Sequence, residues 1–108
     1  MVLVNLAAWC GRMAVQAMTA RRAEEMVRYL DRGDALVAQL PPGADPANEP
    51  ARRSTEAYLL GLRGELFALV GRRPEALQLL RRALELSPDS TLAGRWKAYV
   101  DRLAIGLD

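Results

Sequence analysis

The stretch AYLLGLRGELFALVGRRPEALQLLRRALELSP, from Ala57 to Pro88, constrains the fold more than any other part of the chain. Leu59, Leu60, Leu62, Leu66, Phe67, Leu69 and Val70 recur at the three- and four-residue spacing that lines one side of a helix with apolar side chains. Gly71 then breaks the run, and a glycine there suits the left-handed residue that closes a helix. Pro74 stands where a second helix can begin, because the first helical N–H groups have no carbonyl partner in any case. From Glu75 the spacing resumes with Ala76, Leu77, Leu79, Leu80, Ala83, Leu84 and Leu86. Pro88 ends it and pushes Ser87 toward extended backbone. Two helices joined by so short a turn pack against each other. Gly64 and Ala76, with Ala83 lower down, are the small residues at which they can approach most closely.

These residues resemble the tetratricopeptide repeat, a helix–turn–helix unit of about 34 residues with the pattern W-x2-L-G-x2-Y, A-x3-F, P. Leu60 stands at the tryptophan place, Gly64 is the glycine, Phe67 replaces the tyrosine, Ala76 is the alanine, Leu80 stands for the phenylalanine and Pro88 is the proline. Arg63 departs from the leucine of the pattern, which costs packing or marks a partly exposed edge. The resemblance covers one repeat well and implies an all-α fold of antiparallel helix–turn–helix repeats.

A weaker echo lies upstream, over residues 4–40. Gly11 and Ala23 are spaced as Gly64 and Ala76 are, Val27 then parallels Leu80, and Leu30 parallels Ala83. The run ARRAEE from Ala20 also resembles GRRPEA from Gly71, in a slightly shifted register. Residues 3–18 and 21–39 therefore read as a degenerate first repeat. No Gly or Pro lies between Gly11 and Gly33 to mark a turn, so one continuous helix is the alternative. Gly33 is a place for a kink, and Asp34 for a new cap. Residues 2–20 are strongly apolar, with Arg12 the only charge. They lack the basic lead-in of a signal peptide, and Asn5, Arg12 and Gln16 interrupt a membrane span. A buried or interface helix is expected.

PPGADPANEP, from Pro41 to Pro50, holds four prolines and a glycine and cannot form regular structure throughout. It reads as a surface loop, or as a point where helix pairs exchange between subunits. The next helix is expected from about Asn48 to Val70. After Pro88, Asp89 or Ser90 caps a last helix, Thr91 to about Ala104, whose apolar side is Leu92, Trp96, Tyr99, Val100, Leu103 and Ile105. Arg95, Lys97, Asp101 and Arg102 form its wet side. A terminal helix of this kind covers the open end of a repeat stack. The whole chain is thus expected to be one domain of about five helices.

The chemistry on offer is sparse. There is no histidine, which removes the commonest general base and metal ligand, and no glycine-rich phosphate loop. The single cysteine, Cys10, cannot form an intrachain disulfide and has no partner base nearby in sequence, so it reads as a packing residue of a cytoplasmic protein. No catalytic residue, metal or cofactor is expected. Fourteen of the fifteen basic residues are arginine, a bias that GC-rich bacterial coding gives. Arg21–Arg22, Arg52–Arg53, Arg72–Arg73 and Arg81–Arg82 could form a basic stripe for nucleic acid. Thirteen acids are interleaved, however, and Glu24, Glu49, Glu75 and Glu85 stand at helical pairing distances. Nucleic acid is therefore disfavoured.

The resemblance implies a concave groove lined by the first helix of each pair, in which a peptide or protein partner lies. By register, Asn5, Trp9, Arg12 and Gln16 would face it from the first unit, Tyr58, Leu62, Glu65 and Leu69 from the second, and Arg95, Trp96 and Tyr99 from the last helix. For Trp9 and Trp96 a core or subunit contact is the preferred reading over a ligand contact, because tryptophan is largely buried in most folds. Relatives that grip a carboxyl terminus use paired lysines and asparagines, which Tyr58 and Leu62 do not match. The alternative function is self-association, with residues 2–18 as the dimer surface. A piece of a larger repeat-containing regulator is a further possibility.

Overall fold

In the computed structural model, which describes residues 2–105, every regular element is helical: α1 Val2–Thr19, α2 Ala23–Ala38, α3 Glu49–Leu69, α4 Arg73–Leu86 and α5 Ala93–Ala104, with a 3-10 turn at Pro46–Asn48. α1 and α2 form one hairpin and α3 and α4 another. α5 packs on α4. No described helix is long and apolar enough to cross a membrane.

Residues 3–39 are two helices, not one. The turn between them uses the same device as the turn between α3 and α4. Gly71 has φ 83° and Arg21 has φ 60°, so each places one residue in the left-handed region. The next N–H reaches back five residues, Arg72 to Phe67 O at 2.9 Å and Arg22 to Ala17 O at 2.8 Å, closing the carbonyls left over at a helix end. An arginine in this conformation is strained where glycine is not. That is why the upstream turn carries no glycine signal in the sequence.

The paired turns also fix how the two hairpins correspond. Arg21 matches Gly71 and Arg22 matches Arg72, a shift of fifty positions, rather than the fifty-three implied by aligning Gly11 with Gly64. On the corrected register Ala7, Gly11 and Ala14 match Ala57, Gly61 and Gly64. Met26, Leu30 and Gly33 match Ala76, Leu80 and Ala83. All twelve are buried. Val27, aligned with Leu80 from the sequence, is instead at the surface.

α3 is the middle of the molecule. On one side Leu59, Leu62 and Leu66 join Ala7, Ala14, Ala17, Met26, Leu30 and Val37 in a core with α1 and α2. On the other, Ala57 joins Leu80, Ala83, Ala93 and Trp96 in a core with α4 and α5. Small residues let the helices close. A Cβ on Gly64 would stand 2.8 Å from Leu80 Cγ and 3.3 Å from the Ala76 carbonyl oxygen. Gly33 neither kinks α2 nor leads to a new cap at Asp34. It lies under Leu59 and against Cys10, where a Cβ would be 3.0 Å and 3.3 Å from them. Cys10 is buried, and that burial pushes its thiol pKa up.

Polar ties join the elements at their edges. Arg63, where the repeat pattern has leucine, reaches across to α2 and donates to both Asp31 and Asp34 at 2.8 Å. Burial pushes the Asp34 carboxyl above its usual range, and Arg63 opposes that shift. Arg73 donates to the carbonyls of Leu103 at 2.9 Å and Ile105 at 2.6 Å, satisfying the end of α5 from α4. α5 begins at Ala93 rather than Thr91. Neither Asp89 nor Ser90 is its cap: Leu92 holds that place without a side-chain bond, and the Ser90 hydroxyl accepts from the Leu92 N–H at 3.1 Å in the turn before it. Ile105, expected on the apolar side of this helix, is exposed.

The proline-rich connection is latched onto α3. Arg52 is buried and grips Glu49 through two bonds of 2.9 and 2.8 Å, while a third of 2.9 Å goes to Glu56. Glu49 Oε2 also accepts the Gly43 N–H at 3.0 Å. The Arg52 bonds, then the Gly43 N–H, hold the Glu49 carboxyl down to about 2 from 4.5. A carboxylate whose pKa is lowered by folding stabilises fully above its unfolded value, and the contribution is lost as pH falls toward the folded one. The native chain is therefore expected to lose stability between pH 4.5 and 2 more steeply than Glu49→Gln, measured by urea unfolding at a series of pH values. Parallel curves would show that the latch is absent in solution.

Candidate functional site

Alternate helices converge on one cleft of about 360 Å³, lined by Val15, Met18 and Thr19 of α1, Tyr58, Leu62 and Glu65 of α3, and Leu92, Arg95 and Trp96 at and beside the start of α5. Its seams are glycine-to-ring contacts. The Tyr58 ring lies on Gly11, where a Cβ would come within 2.8 Å of Cδ2. The Trp96 indole lies on Gly61, where a Cβ would come within 2.6 Å of Cε2. Each ring bridges two helices because the facing residue has no side chain.

Glu65 is the unusual member. It is 3 % exposed, although glutamate is rarely buried without a partner. The Arg95 guanidinium supplies that partner, with Nε donating to Oε1 across the cleft from α5. This bond, the largest influence, holds the Arg95 pKa above its ordinary value. Tyr58 is half-buried, and desolvation pushes its phenol up. Arg95 is exposed, as expected of the wet side of the last helix, and still reaches α3 through this bond.

The eleven residues singled out for the groove separate into two groups. Tyr58, Leu62, Glu65, Arg95 and Trp96 line the cleft. Asn5, Trp9, Arg12 and Tyr99 do not, nor do Gln16 and Leu69. Trp96 is first a core residue, 2 % exposed, with only an edge toward the cleft. Tyr99 and Leu69 border a separate depression with Arg73 and Arg102. Arg102 stacks on the Tyr99 ring at 4.8 Å, and Arg95 approaches it at 5.9 Å. Trp9 is 40 % exposed and meets Tyr29 of α2 edge-on at 5.8 Å.

Asn5, Trp9 and Gln16 lie off the cleft for one reason, which does not extend to Arg12. Asn5, Trp9, Arg12 and Gln16 are the positions fifty-three before Tyr58, Leu62, Glu65 and Leu69. Shifting by fifty gives Ala8, Arg12, Val15 and Thr19, and Val15 and Thr19 do line the cleft. Three residues turn a helix face by about 60° and move it about 4.5 Å. One arginine of each of the four pairs meets a carboxylate. Arg52 is consumed by its two carboxylates, Arg72 meets Glu75 at 2.8 Å, Arg82 meets Glu85 at 3.5 Å, and Arg22 meets Glu25, not Glu24, at 3.4 Å. Comparison with family models, curated proteins and solved structures finds no match to this chain.

Proposed function

We propose that the chain is a non-catalytic protein-interaction module of tetratricopeptide-like design that takes a peptide segment of a partner into the α1–α3–α5 cleft, in a cytoplasmic setting. The observation that carries this reading is the cleft itself: a mostly apolar trough between alternate helices, within the size range of ligand sites, with a few polar groups at fixed positions. Its aromatic and arginine side chains are the types that dominate binding energy elsewhere. The test is selection of binders from a random peptide library, followed by amide shift mapping. Residues 15–19, 58–65 and 92–96 are expected to move, and Leu92→Glu is expected to weaken binding roughly tenfold or more. A library without binders, or shifts confined to the outer face of α1, would contradict the reading.

That outer face favours a second reading, self-association. Val2, Leu6 and Trp9 follow one another along α1 at helical spacing and are 72 %, 45 % and 40 % exposed. A dimer would bury this stripe against its copy. Light scattering would show a dimer at micromolar concentration that Leu6→Glu converts to monomer. A native monomer excludes it.

A further inference from the structure

The cleft's chemistry narrows what it can hold, and this step rests on the peptide-binding reading above. Glu65 Oε1 is engaged by Arg95, but no described residue donates to Oε2. No buried side-chain oxygen among the described residues lacks a partner. Oε2 therefore keeps some exposure, and the surface that Glu65 borders is the cleft. A carboxylate accepts several hydrogen bonds, and this one has capacity left.

The occupant must therefore bring a donor on an otherwise apolar body that fits between Val15, Met18, Leu62 and Leu92. Lysine and arginine have the donor but the wrong charge. Arg95 already neutralises Glu65, and Arg12, though it does not line the cleft, stands near enough to the Tyr58 phenol at its rim to oppose the upward push of burial there. The cleft and its rim thus carry one acid against two cations, so a third cation is repelled. Phenylalanine fits the apolar walls but leaves Oε2 without a donor. Tryptophan and tyrosine satisfy both demands, being flat apolar bodies with one N–H or O–H at the edge. Their neighbours in the partner are best acidic, since Arg95 and Arg12 flank the opening. A second copy's Trp9 is a poor occupant, because α1 has no acidic residue and carries Arg12 three positions on.

We infer that the cleft takes a tryptophan or tyrosine side chain of a partner peptide, its ring N–H or O–H donating to Glu65 Oε2 and its acidic flanks meeting Arg95 and Arg12. The test uses three capped heptapeptides with the native chain: a central tryptophan among aspartates and glutamates, the same with phenylalanine, and the same tryptophan among lysines. Affinity is read by calorimetry and location by amide shifts. The first is expected to move residues 15–19, 58–65 and 92–96. Each of the others is expected to bind roughly tenfold more weakly or worse, the phenylalanine analogue through the lost hydrogen bond to a charged acceptor. In Glu65→Gln the preference for tryptophan over phenylalanine is expected to shrink. Phenylalanine or lysine-flanked peptides that move the cleft amides and bind as tightly would overturn the inference and leave the peptide-binding reading standing. A concentration-dependent dimer abolished by Trp9→Ala, in which the first peptide no longer enters, would overturn it in favour of a second copy. Library selection yielding no cleft binder would remove the underlying reading instead.

Discussion

Trp96→Ala is expected to cost about 3–5 kcal/mol, the range for deleting a large buried aromatic. The indole is enclosed by Ala57, Leu80, Ala83 and Ala93, all of them small or already in place, so little can collapse into the hole. Domains of this size have about 5–15 kcal/mol in total, so the variant sits near the edge of folding. Urea unfolding of both proteins measures the difference. The glycine beneath the ring sharpens the test. Gly61→Ala adds a methyl where the indole lies and is expected to cost about 1–3 kcal/mol in the native background. In the Trp96→Ala background the same methyl enters vacated space and costs less. A coupling of about 1 kcal/mol or more is therefore expected between the two sites. Strict additivity would mean that the ring does not lie on this glycine.

Gly64→Leu is expected to be at least as damaging. Its Cβ would meet Leu80 Cγ at 2.8 Å and the Ala76 carbonyl at 3.3 Å, and the second of these is backbone that cannot rotate away. The rest of the leucine would have to part α3 from α4. The cost is expected at or above the upper end for overpacking, about 3 kcal/mol, with loss of the cooperative helical transition in circular dichroism. Gly94→Leu is the control, because nothing lies within 4 Å of that position. It is expected to be neutral or to stabilise by up to about 1 kcal/mol through helix propensity. An unchanged melting temperature for Gly64→Leu would show that the close helix contact does not exist.

Helix existence and type were legible from periodicity and turn residues, since Gly71, Pro74 and Pro88 each act through backbone rules that do not depend on the rest of the fold. The helix over residues 48–70 lies at Glu49–Leu69, and the one after Pro74 ends at Leu86, with Ser87 out of the helical region at φ −145° and ψ 71° but not in the extended one. The upstream turn was hard to read for a physical reason. Arg21 adopts the left-handed conformation that a sequence advertises with glycine. Without that marker, the small residues Gly11 and Ala23 set the register, and it came out three residues wrong. Asn5, Trp9 and Gln16 fall off the cleft through that shift, while Tyr58, Leu62 and Glu65 of α3, whose own turn is marked, meet at it; Leu69 does not, and Arg12 stays off the lining on either register. Trp96 was ambiguous because helical spacing tells which side is apolar but not whether that side faces a core or a trough. The tie from Glu65 to Arg95 spans thirty positions and left no local trace, just as Arg63 gave no hint of reaching Asp31 and Asp34.

The meeting of α1, α3 and α5 at two ring-on-glycine seams is the feature on which cleft, proposed ligand and stability all depend. A nuclear Overhauser spectrum of the native chain reads both seams at once. Cross-peaks are expected from the Tyr58 ring to the Gly11 α-protons and from the Trp96 indole to those of Gly61. A folded, helical protein in which both pairs of cross-peaks are missing would contradict this arrangement of the three helices.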